Sequence, residues 1–175
     1  EEQRELEELI PHNRYFLIAI TSFEKAVSGV SSDDFAELMG NIKYWIKDML
    51  EPLGHTLSFV PDETTGYMCT TICRDTPFHQ DESGRSVLFE KFINKMKASY
   101  GISLAVGYSQ PHEDLFSKAA EAYEEALRAQ DLRFYYGYNL PLAYNPKKIS
   151  LVPTNISRYI DIKGISACKA GNNLE

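Results

Sequence analysis

The chain has 175 residues, with 25 acidic against 18 basic side chains and a formal net charge of −7. Its 43% hydrophobic and 25% charged residues suit one globular core and leave little room for two comfortable domains. No apolar run approaches the roughly 18–20 residues that span a bilayer, the acidic start EEQRELEELI is no signal peptide, and the acidic balance argues against a surface that grips DNA or anionic membrane.

Cys69, Cys73 and Cys168 are too few and too odd in number for a disulfide framework, so a reducing, cytoplasmic setting is expected. An aromatic content of 12% argues for a folded chain.

Residues 1–10 read as a charged helix with a thin stripe of Leu6, Leu9 and Ile10, stopped by Pro11. It is either the end of a linker helix from a preceding domain or a frayed terminus. Tyr15–Ile20 is a continuous apolar run of strand length, expected to be a central strand covered on both faces. The segment SGVSSDD then carries helix-starting chemistry, with Ser31 or Ser32 as cap and Asp33 and Asp34 at the positive end of the dipole. Phe35, Leu38, Met39, Ile42, Trp45, Ile46, Met49 and Leu50 repeat with helical period until Pro52 and Gly54.

Thr56–Val60 and Tyr67–Cys73 read as the strands of a hairpin, with Pro61–Gly66 as its turn. After the polar loop 74–84, a second amphipathic helix places Leu88, Phe89, Phe92, Ile93, Met96 and Tyr100 on one face, with Gly101 as C-cap. Ile102–Tyr108 is a further strand. A third helix begins near Asp114, turns Leu115, Ala119, Ala122, Ala126 and Leu127 inward, and runs through Arg133 to Tyr136 and Gly137. Leu140–Tyr144, bounded by prolines, reads as a short edge strand. Pro153–Ser157 reads as a loop and Arg158–Ala170 as a short helix.

The order β-α-β-β-α-β-α-β implies an α+β fold, ferredoxin-like or nucleotidyl-cyclase-like, with helices packed on a mixed sheet.

Chemical motifs are sparse. Cys69 and Cys73 lie four apart on a strand and share a face. They read as small buried hydrophobes; the alternative, a zinc site with His55 or His79, lacks a second ligand pair. His12, His55, His79 and His112 read as solvated loop histidines, and His112-Glu113-Asp114 as the start of the third helix. No Gly-rich phosphate cradle is present. The pairs Asp33-Asp34, Asp62-Glu63 and Asp81-Glu82 fit turn and helix-start chemistry. Phe134-Tyr135-Tyr136-Gly137-Tyr138 is expected to pack under the sheet edge; the alternative is a ligand or partner surface made by Tyr135, Tyr136 and Tyr138.

The element order, with GISLAVGYS followed by EDLFSKAAEAYEEALRAQDLRFYYGYN, resembles the GGDEF family of diguanylate cyclases over about Tyr15 to Tyr144. It is most similar to the degenerate GGDEF-like domain in the middle of AraC/YesN-type response regulators. Cyclases of this family carry Asp-x-Asp-x-Phe on the first strand, where the matching residues are Ala19-Ile20-Thr21-Ser22-Phe23. The carboxylates of that motif hold Mg²⁺ against the triphosphate. The family's hairpin motif falls on Glu63-Thr64-Thr65-Gly66-Tyr67, and its helix lysine and acid fall on Leu127 and Ala120. Gly137-Tyr138-Asn139 is similar to the family's Gly-Arg-Asn, without the arginine and about two helical turns late.

The resemblance therefore implies a domain that is not an enzyme, with no catalytic, cofactor-binding or metal-binding residue and no cofactor. Residues 1–12 would be a linker helix, 13–146 the GGDEF-like domain, and 147–175 a linker or the start of the next domain. The implied role is regulatory: to relay signal or mediate dimerisation between a receiver and a helix-turn-helix domain of a transcription regulator. The implied partners are those domains and a second copy of the chain, without direct nucleic-acid or membrane contact by this segment. The alternative is a small-molecule or nucleotide sensor that keeps a vestigial cyclase pocket.

Overall fold

The computed structural model describes residues 14–23, 32–60, 67–78 and 82–149. The expected helices at 1–10 and 158–170, the turn at 61–66, and the cap at Ser31 lie outside the described residues, as do His12, His79 and Cys168. The chain divides into two compact units, Glu1–Tyr144 and Asn145–Glu175.

In the first unit β1 (Tyr15–Phe23) is followed by α1 (Ser32–Leu50), a 3-10 turn (Glu51–Leu53), β2 (His55–Phe59) and β3 (Tyr67–Arg74). Then come α2 (Glu82–Tyr100), β4 (Leu104–Tyr108), β5 (His112–Glu113), α3 (Leu115–Asp131), the short helix α4 (Arg133–Tyr136) and β6 (Pro141–Ala143). In the second unit the described structure is α5 (Pro146–Ile149), where Lys147 N donates to Asn145 Oδ1 at 3.0 Å.

The strands form one sheet in the order β2-β3-β1-β4-β6, with β5 also paired to β1. β6 runs parallel to β4, and the other pairs are antiparallel. β1 is central, as its unbroken apolar run requires. Its even and odd residues fill two different cores. Leu17 and Ala19 face α1 and α2, among Met39, Ile42, Ile46, Phe89, Phe92, Ile93 and Met96. Phe16, Ile18 and Ile20 face α3, with Cys69, Cys73, Ala122 and Ala126. Each large side chain so buried contributes about 1.5–3 kcal/mol.

Helix termini and close approaches follow local chemistry. Gly101 ends α2 at φ 67°, and its N–H donates to Lys97 O at 2.9 Å. Gly107 lets α3 lie directly on β4: a Cβ there would stand 2.3 Å from Gln130 N and 2.7 Å from Ala126 O. Outside the core, Trp45 Nε1 donates to the Tyr100 hydroxyl at 3.1 Å, and Lys95 Nζ lies 4.6 Å from the Trp45 ring centre.

Three expectations are corrected. His112 and Glu113 do not open a helix; they extend the sheet by pairing with Phe16 and Tyr15. Asp114 interrupts the chain at φ 57°, so α3 starts at Leu115 without an acidic first turn. The third helix is not continuous to Tyr136, because it breaks at Leu132.

Candidate functional site

The C-terminal end of β1 lies where β3, β4 and the end of α3 converge. Ser22 is paired with Tyr67 of β3 on one side and Ala105 of β4 on the other. From α3, the buried Gln130 side chain bridges this end of the sheet. Its Nε2 donates to Ser22 Oγ, and its Oε1 accepts from Gly107 N at 2.7 Å. Alternation along β1 puts Thr21 on the opposite face, also buried at 2% exposure.

One helical step on, the buried Arg133 side chain closes the cluster. Its Nη2 donates to the Tyr67 hydroxyl at 2.8 Å, and its Nη1 donates to Gln130 O at 3.3 Å and lies 3.9 Å from Asp131 Oδ1. The guanidinium carbon stands 4.3 Å from the Phe134 ring centre and 5.5 Å from that of Tyr67, within cation–π range. Asn139, at φ 66°, donates its N–H to Leu104 O at 2.8 Å and its Nδ2 to Ser103 Oγ at 3.3 Å. Arg133 Nε and Asn139 Oδ1 are buried without hydrogen-bond partners. The cluster therefore leaves one donor and one acceptor buried and unpaired at the end of the sheet.

Magnesium at this end would need carboxylate ligands. The described residues do not supply that set: β1 ends in the hydroxyls of Thr21 and Ser22, and no group of three His, Cys, Asp or Glu side chains comes together. Glu24, Asp62 and Glu63 lie outside the described residues. The position matched to the family's helix lysine, Leu127, is half-buried beside the α3-side core, and Ala120 is exposed. Both sequence positions thus miss Gln130 and Arg133, the polar groups that α3 and α4 bring to the end of β1. The available signal was that Gln130 continues the buried stripe Ala122–Ala126 at four-residue steps.

The aromatic run does not pack under the sheet edge. Phe134, Tyr135 and Tyr136 are 42%, 54% and 59% exposed, and Tyr138 is half-buried. The break at Leu132 explains the correction: Leu132 and Arg133 take the inward places, and the next three residues turn outward.

Cys69 and Cys73 are buried among apolar neighbours, as expected for small hydrophobes. Burial pushes their thiols up to about 12 and about 11. His55 is exposed at the start of β2. His112 is not a solvated loop histidine: its Nε2 lies 2.9 Å from Glu125 Oε2, and its ring is 5.8 Å from that of Phe16. Glu125 Oε2 also accepts from Gln110 N at 3.0 Å, which ties β5 to α3.

No protein-family model and no curated protein matches the chain. Solved structures do. The active GGEEF domain of a diguanylate cyclase from Vibrio cholerae superposes with a TM-score of 0.58 at 11% identity, covering 82% of this chain and 88% of that one. The fold is that of GGDEF domains. A diguanylate cyclase/phosphodiesterase from Caldicellulosiruptor saccharolyticus gives 0.54 at 15% identity, over 83% of this chain and 85% of that one. The GGDEF domain of DgcB from Caulobacter crescentus, in complex with c-di-GMP, gives 0.51 at 10% identity over 81% and 84%.

These likenesses bear out the α+β, nucleotidyl-cyclase-like architecture. They overturn the expectation that the chain is not an enzyme. The fold it shares is that of diguanylate cyclases, one of them described as active, and at 10% to 15% identity the matching of Ala19 and Thr21 to lost metal-binding acids is not established. Among the described residues no helix is long and apolar enough to cross a membrane.

Proposed function

We propose that this chain is a GGDEF-like signalling domain of a multidomain regulator, set between a receiver and a helix-turn-helix domain and passing the receiver's state on through surface contacts. The observation that carries the reading is the outward row Phe134–Tyr136 on a GGDEF-type fold: three consecutive exposed aromatic side chains, of which Phe134 alone also packs on the Arg133 guanidinium. Aromatic residues of this kind supply the anchors of protein interfaces. The parent reading frame tests the context directly. The reading expects receiver coding sequence upstream and a basic helix-turn-helix downstream; any other pair of neighbours contradicts it.

A second reading, a nucleotide sensor, is favoured by the polar cluster at the end of β1. Arg133 Nε, beside the Tyr67 ring, and Asn139 Oδ1, on the Ser103–Leu104 side, are an unpaired donor and an unpaired acceptor, the kinds of group that orient a purine and its phosphates. Thermal shift with GTP and Mg²⁺, followed by analysis of the nucleotides, tests it. A saturable, stoichiometric shift supports the sensor, and a cyclic dinucleotide product extends it to a cyclase. The absence of any shift removes it.

A further inference from the structure

Arg85 heads the stripe Phe89, Phe92 and Met96 that α2 turns into the core, a position where another apolar side chain would be expected. It is 7% exposed, and its Nε and Nη1 have no hydrogen-bond partner. Unpaired buried cations are costly and rare in native proteins, so such a group calls for a partner. Side chains on a helix lean toward its N-terminus, a direction that carries the Arg85 side chain toward the first turn of α2. The dipole of this 19-residue helix adds positive potential at the same place. On the sheet side stands Tyr108, buried and stacked on Phe89 at 4.7 Å between ring centres. The charges of Arg85 and Glu82 both reach its hydroxyl. Glu82 is exposed and leaves the two open guanidinium nitrogens unbonded.

We infer that Arg85, the amino end of α2 and the Tyr108 hydroxyl form a binding site for a small oxyanion of the phosphate class. A guanidinium with open donors suits phosphate oxygens, and the dipole and the phenol add to it. Tyr108 and Ala19 share the α1/α2 face, opposite the face on which Gln130 bonds Ser22, so this site is separate from the cluster at the end of β1. It stands independently of either functional reading.

The test is thermal unfolding of the whole chain in sodium phosphate against sodium chloride at matched ionic strength. Phosphate raises the melting temperature saturably. Arg85→Met abolishes the effect, and Lys91→Met, which removes an exposed cation of the same helix, keeps it. Glu82→Gln binds phosphate more tightly, because a carboxylate of the first turn of α2 is gone. Arg85→Lys keeps the charge and weakens phosphate about tenfold, which holds the test open if the methionine variant fails to fold. A wild-type response to phosphate no larger than that to chloride overturns the site. So does an unchanged response in Arg85→Met or, if that variant does not fold, in Arg85→Lys.

Discussion

Gln130 and Gly107 require each other. Gln130 Oε1 accepts the Gly107 N–H at 2.7 Å, and the same close packing puts a Cβ on residue 107 only 2.3 Å from Gln130 N. Removing the amide by Gln130→Ala leaves the Gly107 N–H and the Ser22 hydroxyl buried and short of partners. The expected cost is about 2–3 kcal/mol in urea unfolding, with the slope of the transition unchanged. A loss within ~0.5 kcal/mol would mean that water replaces the amide.

Gly107→Ala acts on the same contact from the strand side. Helix α3 cannot keep its place over β4 with a methyl group against its backbone, so the expected loss is about 3 kcal/mol or more. Gly40→Ala, at an exposed helical position with open space around it, is the control and should stabilise by about 0.5–1 kcal/mol.

The buried thiols give a pH signature. Cys69 and Cys73 are held neutral, with their folded values raised from 9.0 to about 12 and about 11. Their contribution to stability is full below pH 9 and declines as pH rises from 9 through 11 to 12, because the unfolded chain loses these protons first. Native protein at pH 8 should therefore leave both thiols unmodified by iodoacetamide, and urea should expose them together. Rapid labelling of either in the native state would contradict the burial.

Much of this architecture could be read from the amino acids. The apolar run of β1, the hairpin of β2 and β3, the stripes of α1 and α2, and Gly101 as a cap all follow from local periodicity and turn chemistry. His112 and Glu113 could not be read, because a two-residue strand has no pattern and exists only through pairing with Tyr15 and Phe16. The outward turn of Phe134–Tyr136 was hidden for a similar reason: a four-residue helix is too short to show a buried face, and the break at Leu132 is decided by packing. At the candidate site, Gln130 and Arg133 are polar residues serving as core, the substitution that a hydrophobic pattern conceals.

The exposed aromatic row should matter to partners and not to the fold. Tyr135→Ser and Tyr136→Ser should each change stability by less than about 0.5 kcal/mol, since neither side chain is buried. A large loss would show that the row packs within the domain after all.

The most direct test of the proposed signalling role takes the full-length regulator that this reading expects: DNA affinity with and without phosphorylation of the expected receiver, for the wild type and for the Tyr135→Ser, Tyr136→Ser double variant. The account predicts that phosphorylation shifts the DNA affinity of the wild type and that the double variant folds normally but loses most of that shift. An undiminished shift in the double variant, or no dependence on phosphorylation in the wild type, would contradict it.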